Sequence, residues 1–197
     1  MGFVSDWTDS AREVITSPAE FFENEDRRDG FGYPLKFAAF ALLVAGVFRA
    51  LRTLVFGPSA NVELSGPVAA GASFIGSIVG GLIGLFISAA LIHIFVYLFS
   101  GEVGYSETLA TLEYSSALTA LGAVFSLVPL LGGLVGLLLA LYGIYVQAKG
   151  LEAFHDLSFG KSLAAVLLPA VLIVVIVIVL ALTVGMAMIT SMAAAGA

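Results

Sequence analysis

This chain has no cysteine and few charged residues, and each shortage excludes a class of protein. Without cysteine there is no disulfide framework, thiol nucleophile, thiolate metal site or palmitoylation site. Charged side chains make up 11% of the sequence, against about 25% in an average soluble domain. The chain therefore has too little polar surface to face water on all sides. A net charge of −6, without any basic patch, argues against a nucleic-acid partner.

Recognisable catalytic, cofactor and metal motifs are also missing. The tripeptide Gly160-Lys161-Ser162 lacks the glycine that a phosphate-binding loop needs five residues earlier, where His155 stands instead. The loop at 100–107 contains two glutamates but no regular alternation of oxygen ligands, so it indicates a reverse turn. No hydrolase, metalloprotease or kinase signature occurs. The first thirty residues contain no continuous apolar stretch typical of a signal peptide. We predict no enzyme, no cofactor and no metal site.

The N-terminal segment differs in character from the rest of the chain. Eight of the fourteen acidic residues lie in the first thirty positions. Within 3–16 the apolar residues recur at helical spacing, which predicts an amphipathic helix with Trp7 at its apolar–polar boundary. Its acidic face suits anionic lipid poorly, so packing on lipid and packing on the protein itself both remain open. We assign 1–33 to this cytoplasmic segment, 34–190 to a transmembrane domain and 191–197 to a short tail.

Apolar stretches long enough to cross a bilayer dominate the remainder. About 20 residues suffice for one crossing. Five stretches qualify, at residues 35–56, 68–99, 108–128, 130–148 and 163–189. The second is longer than a bilayer requires, so it must tilt, protrude or break near Gly80-Gly81. Pro169 should kink the fifth. The predicted fold is an all-α polytopic membrane helix bundle of about five transmembrane helices, preceded by the short amphipathic helix.

The distribution of lysine and arginine predicts the orientation of this bundle. With five crossings, one side carries six basic residues: Arg12, Arg27, Arg28, Lys36, Lys149 and Lys161. The other side carries Arg49 and Arg52, which should extend outward to the interface. Because cytoplasmic loops are rich in Lys and Arg, we expect a cytoplasmic N-terminus and an external C-terminus in a cell membrane.

A row of small residues at four-residue spacing follows the second predicted span. Such a row lets another helix backbone approach closely. Its members are Ala72, Gly76, Gly80, Gly84 and Ser88. We interpret it as a helix-packing stripe within the bundle, with the interface of a homo-oligomer as the alternative.

His93 and Glu113 are the ionisable residues that stand out within the predicted spans. If the loop between spans two and three centres near residue 103, both lie at the same depth, about two to three turns inside the cytoplasmic face. Buried ionisable groups usually pair or line a water path. We predict that they form a polar pair, which is either a structural hydrogen bond or a proton or ion relay. Glu113 could instead extend to the interface.

Three groups of short motifs lie along the chain: Trp7…Pro18…Phe21-Phe22, His93…Gly101…Gly104-Tyr105…Thr108-Leu109…Tyr114-Ser115, and Gly150-Leu151…His155-Asp156-Leu157-Ser158…Lys161. Together they resemble the motifs of the Yip-domain family of Ypt/Rab-interacting membrane proteins, and in particular of a prokaryotic member. The family's usual proline after the Tyr-Ser pair is absent, and Glu113 replaces an apolar residue. The resemblance implies five spans and a cytosolic N-terminus. Eukaryotic relatives bind small Rab-type GTPases in vesicle traffic.

These observations favour a non-enzymatic membrane scaffold or adaptor that recruits a partner or organises the bilayer. The alternative is a small transporter or channel that uses His93 and Glu113. Expected partners are the lipid bilayer and an unidentified protein, which by resemblance could be a small GTPase. The residues that we expect to contact a cytoplasmic partner are Trp7, Phe21, Phe22, Tyr105, His155 and Asp156.

Overall fold

The computed structural model describes residues 2–25, 31–58, 64, 66–101 and 104–195, with the backbone alone at 185 and 187–195. Arg27 and Arg28, which enter the orientation count, lie outside these residues. The described chain is helical and contains no strand. Its elements are α1 (Phe3–Thr16), α2 (Pro18–Asn24), α3 (Tyr33–Phe56), α4 (Gly66–Leu98), α5 (Tyr105–Ser115), α6 (Ala117–Phe125), α7 (Pro129–His155) and α8 (Phe159–Ala195).

Helices α3 and α4 run antiparallel and approach each other at glycines. A Cβ atom on Gly46 would lie 3.2 Å from the carbonyl oxygen of Phe74, and one on Gly81 would lie 2.6 Å from Leu42 Cδ2. Close approach of this kind needs a residue without a side chain. Gly46 and Gly81 therefore set the spacing of this helix pair.

The third predicted span is divided into α5 and α6 at Ser116. Its hydroxyl donates to the Glu113 carbonyl, a local bond that competes with the regular helical pattern. The backbone of Ser116 stays in the right-handed region, at φ −62° and ψ −16°, so α6 follows α5 without a loop. The pair covers 105–125, which is about 32 Å at 1.5 Å per residue and matches a hydrocarbon core of about 30 Å.

Contacts at one end of the bundle show that α5 and α6 together run along the length of the bundle. Thr108 of α5 hydrogen-bonds to His155 at the end of α7. Nζ of Lys161 donates to the Phe99 carbonyl, 3.2 Å away. The end of α4, the start of α5, the end of α7 and the start of α8 thus lie together, and we call this the histidine end. Among the described helices, α3, α4, α7 and α8 are each long and apolar enough to cross a membrane. The α5–α6 pair runs alongside α7 in the opposite direction and makes a fifth passage through the bundle.

Helix α5 is the centre of the bundle, whereas α8 leaves it. All eight residues from 108 to 115 are buried, because α3, α4 and α7 surround them. In α8 the buried positions lie before and at Pro169, where the helix continues without interruption. From 170 to 184 every residue is exposed. The first turn of this distal part of α8, at Ala170 and Ile173, still borders the space toward α4.

Candidate functional site

The two histidines of the chain meet at one threonine hydroxyl. His93 Nδ1 and His155 Nε2 each lie 2.9 Å from Thr108 Oγ1, and the ring centroids are 6.1 Å apart. Thr108 and His155 are fully buried. A hydroxyl has one proton to donate, so it donates to one imidazole and accepts from the other. The arrangement fixes both rings and ties α4, α5 and α7 together at the histidine end.

The predicted contact between His93 and Glu113 is wrong. His93 bonds to Thr108 instead, and the Glu113 carboxyl has no hydrogen-bond partner among the described residues. The depth argument placed the loop centre at 103. In the structure His93 lies five residues before the end of α4, while Glu113 lies eight residues after the start of α5. At 100° per residue, Glu113 also faces about 140° away from Thr108 around α5.

Glu113 is nevertheless fully buried. It lies between Leu112, which packs against α4 and α8, and Tyr114, which contacts the aromatic residues of α2 and α3. Its burial also overturns the alternative that it extends to the interface. An ionised carboxylate in such a place, without a bonded partner, is costly. A relay between His93 and Glu113 would need the two groups within reach of each other, and the structure does not bring them together.

Among the described helices, none packs closely against the small-residue row on α4, although Gly84 and Ser88 border a cavity toward α8. Ala72, Gly76, Gly80 and Ser88 are exposed, and a Cβ on Gly76, Gly80 or Gly84 would meet no atom within 4 Å. The interpretation as an internal packing stripe is wrong, because Gly81, one position further, faces α3 instead. Contact with a second copy of the chain stays a prediction.

The N-terminal helices pack on the bundle, which decides between the two alternatives for α1. Trp7 Nε1 donates to the Phe37 carbonyl at 3.0 Å, and the two rings stack with centroids 5.3 Å apart. Tyr142 of α7 donates to the Ile15 carbonyl. Phe22 of α2 is fully buried against Tyr114 and Phe154. Apart from Phe3 and Val4, which are exposed, the apolar face of α1 and α2 is therefore covered by the chain's own helices.

Most of the residues expected to contact a partner serve the internal packing. Phe21, Phe22 and His155 are buried, so that expectation is wrong for these three. Trp7 is partly buried in its contact with α3. The Tyr105 hydroxyl donates to the Phe86 carbonyl, and its ring packs edge-on against His93. Asp156 is exposed, directly after α7, in the left-handed conformation.

A polar site that the sequence analysis did not predict lies where two cavities meet. One cavity, of about 370 Å³, lies between α6 and α7, and the other, of about 420 Å³, lies between α4 and α8. Arg49 of α3, Thr119 of α6 and Gln147 of α7 line both. Arg49 Nη1 donates to Ser77 Oγ on α4 at 2.8 Å. A guanidinium, a hydroxyl and an amide thus converge between four helices.

The comparison with family models now decides the family. The Yip1 domain model matches residues 12–182, more than four-fifths of the chain. The chain belongs to the Yip1 family. The resemblance inferred from the motifs is thereby confirmed, and with it a multi-pass helical membrane protein. The family is a non-enzymatic membrane family. Neither the comparison with curated proteins nor that with solved structures gives a match.

The motifs of this Yip1 chain hold its fold together. Gly150 is one example: a Cβ there would lie 2.5 Å from Thr111 Cγ2 and 3.1 Å from Phe22 Cζ, so α2, α5 and α7 all converge on it. Thr108 and His155 form the hydrogen-bonded chain at the histidine end. These residues position helices, and none of the three lines the two cavities described above.

The site at Arg49 was missed because Arg49 was expected to extend outward. In a helix each Cα–Cβ bond tilts toward the N-terminus, and α3 runs from the histidine half of the bundle toward the other end. The Arg49 side chain therefore leans back along α3 toward Ser77 of α4, where it borders the two cavities and stays exposed. The signal that could have found the site is the isolated polar residues Thr119 and Gln147 within apolar runs, since polar groups in spans usually face the interior.

Proposed function

We propose that this Yip1-family chain is a non-enzymatic scaffold or adaptor that recruits a protein partner through α1 and α2. The observation that supports this is the orientation of the two helices, with their apolar face on the bundle and their acidic face outward. Five carboxylates are exposed there: Asp6, Asp9, Glu13, Glu20 and Glu23. Arg12 is the single basic residue within 2–25. Such a face repels anionic lipid and is complementary to a basic protein surface.

The chemistry of the buried groups supports a role without catalysis. Thr108 Oγ1 contacts two imidazoles, as a nucleophile contacts its base, but Thr108 is fully buried and out of reach of a substrate. Among the described residues there is also no group of three or more His, Cys, Asp or Glu that could hold a metal ion. We therefore favour binding over catalysis.

The partner class follows from charge and from the family. A basic surface would associate with the acidic face at a rate that falls as salt rises. Within the Yip1 family a small GTPase is the partner that the resemblance implies. This proposal requires α1 and α2 on the cytoplasmic side of a cell membrane, which agrees with the distribution of basic residues.

The transporter alternative depended on a contact between His93 and Glu113. Among the described residues no hydrogen bond joins His93 to Glu113, which weakens the case for a direct relay between them. A flux assay in reconstituted vesicles distinguishes the two functions. A scaffold gives no flux dependent on Glu113, whereas a transporter loses its flux in Glu113→Gln.

Site-specific photo-crosslinking in native membranes tests the scaffold. A photo-reactive residue at Asp9, which is exposed on α1, should give a discrete adduct. Combining Glu13→Gln, Glu20→Gln and Glu23→Gln should lower its yield severalfold, because the attraction depends on these charges. The control position is Leu134 on the exposed face of α7, which should give no such adduct. An adduct unaffected by neutralisation and by salt would refute recruitment through the acidic face.

A further inference from the structure

We propose that Arg49, Thr119 and Gln147 bind the phosphate-bearing headgroup of an anionic lipid, with one acyl chain in the cavity between α4 and α8. The site goes beyond recruitment of a protein partner, because none of the residues that line the two cavities belongs to α1 or α2. It would make a specific lipid part of the folded protein.

The charge of Arg49 is the first argument. Within the described part of the chain, no carboxylate forms an ion pair with it, and Ser77 Oγ is the acceptor of its guanidinium. A cation inside a membrane span is costly unless an opposite charge or a polar surrounding compensates it. The guanidinium carries five N–H donors in a planar fork that matches two phosphate oxygens at once. An anionic group would supply the missing counter-charge.

The neighbours of Arg49 complete the polar half of the site. The Thr119 hydroxyl and the Gln147 amide line the same two cavities, and neither is fully buried. Both can donate to oxygen atoms that the guanidinium does not reach. Three donors from three different helices suit a tetrahedral oxyanion better than a flat apolar molecule.

The shape of the second cavity favours a lipid as the source of the phosphate. Away from the three polar residues it is lined by apolar side chains of α4 and α8, among them Leu85, Ile92 and Ile173. Leu91 and Ile173 are exposed on the outer surface, so the cavity opens between α4 and α8 toward the acyl chains of a bilayer. The two cavities, about 370 and 420 Å³, fall in the size range of ligand pockets.

Native mass spectrometry of the purified full-length protein tests the proposal. The protein is mixed with equal amounts of phosphatidylglycerol and phosphatidylcholine of the same acyl length, and the bound lipids are counted. We expect the wild type to retain the anionic lipid preferentially. Arg49→Gln should lower that preference about tenfold, because a hydrogen bond to a charged group is lost. Arg52→Gln, one turn further along α3, makes the same change in net charge and should keep the preference.

A second variant tests whether an acyl chain occupies the cavity between α4 and α8. It also keeps the proposal testable if Arg49→Gln fails to fold. Gly84 lines the cavity between α4 and α8, and a Cβ there meets no atom within 4 Å, so Gly84→Leu fills the cavity without straining the backbone. It should weaken retention of the anionic lipid while Arg49 stays in place. Inorganic phosphate is added in a parallel titration of thermal stability.

The outcomes separate the two sources of phosphate. Loss of preferential retention in both Arg49→Gln and Gly84→Leu, with Arg52→Gln unchanged, supports the lipid site. Stabilisation of the wild type by inorganic phosphate, abolished by Arg49→Gln but insensitive to Gly84→Leu, would replace the lipid by a free anion and overturn the proposal. Equal retention of both lipids by the wild type would overturn it as well.

Discussion

A single hydroxyl group joins three helices at the histidine end. Thr108 is fully buried between two imidazoles, and each imidazole comes from a different helix. If the hydroxyl is removed, one nitrogen on each ring loses its partner inside the protein. Buried polar groups without partners cost more than the net value of the bonds they lose. The stability of this end should therefore depend on the oxygen of Thr108 more than on its methyl group.

Thr108→Val tests this dependence. The valine has nearly the same shape, so the packing is kept while both hydrogen bonds are lost. We expect a loss of about 1–3 kcal/mol in the free energy of unfolding, measured by thermal or chemical unfolding in detergent. Thr108→Ser is the matched control and should stay close to the wild type. If Thr108→Val and Thr108→Ser are equally stable, the hydroxyl of Thr108 contributes nothing to the free energy of unfolding.

The direction in which a residue faces around α4 decides which of two adjacent glycines contacts α3. Gly80 and Gly81 differ by 100° around α4. A Cβ on Gly80 would meet no atom within 4 Å, whereas one on Gly81 would press on Leu42 of α3. The row of small residues that includes Gly80 is conspicuous in the sequence. The contact with α3 nevertheless uses its neighbour.

Gly80→Leu and Gly81→Leu form a matched pair. The first should leave the thermal stability of the monomer in detergent nearly unchanged, because its side chain points away from the bundle. The second should lower it by roughly 1–3 kcal/mol, since a bulky side chain would force α3 and α4 apart. Equal losses in both variants would contradict the packing of α3 against Gly81.

The bounds of the long helices could be predicted, because the bilayer imposes them. Residues 35–56 were predicted for α3, which begins at Tyr33 and ends at Phe56. In lipid every backbone group must bond internally, so an apolar stretch of this length is a helix. The end of α7 was not predicted. Lys149 and Glu152 end the apolar run, yet the helix continues to His155. The length of the apolar run reflects the thickness of the bilayer, whereas the helix itself extends beyond the bilayer.

The candidate site was harder to predict, since it depends on rotation about the helix axes. His93 was singled out as a polar residue within a span. It is partly buried, and its partner is Thr108, a neutral residue that a search for charged pairs ignores. Arg49 was assigned to the interface, and it is exposed, but its hydrogen bond to Ser77 directs it toward α4. Counting residues from an assumed loop centre gave equal depths for His93 and Glu113, whereas they lie five residues before the end of α4 and eight residues after the start of α5. The direction in which a side chain faces follows from the packing of all helices together.

At the scale of the whole molecule, the passage formed by α5 and α6 decides the topology. Each of the two is too short to cross a bilayer alone. Contacts of Thr108 with His155 and of Lys161 with Phe99 place the loops before α5 and after α7 at one end. The chain must therefore leave this end through α5 and α6 and return through α7.

Cysteine labelling tests this topology in a chain that has no cysteine of its own. Single cysteines at Ser100 and Ser158, both exposed, should react with an impermeant reagent from the same, cytoplasmic side. A cysteine at Ala195 should react from outside. Labelling of Ser100 and Ser158 from opposite sides would mean that α5 and α6 do not cross the membrane.

The distal part of α8 has a consequence for the synthesis of the protein. Residues 171–179 are all valine or isoleucine except Leu172, and every one of them is exposed. Such β-branched runs of low charge prefer extended structure in water and form intermolecular sheets. In the bilayer a lone strand would leave its backbone groups without hydrogen bonds, so the helix is favoured there. A ribosome that released this segment into the cytosol would produce an aggregation-prone chain, so we expect its insertion to depend on delivery to the membrane during translation.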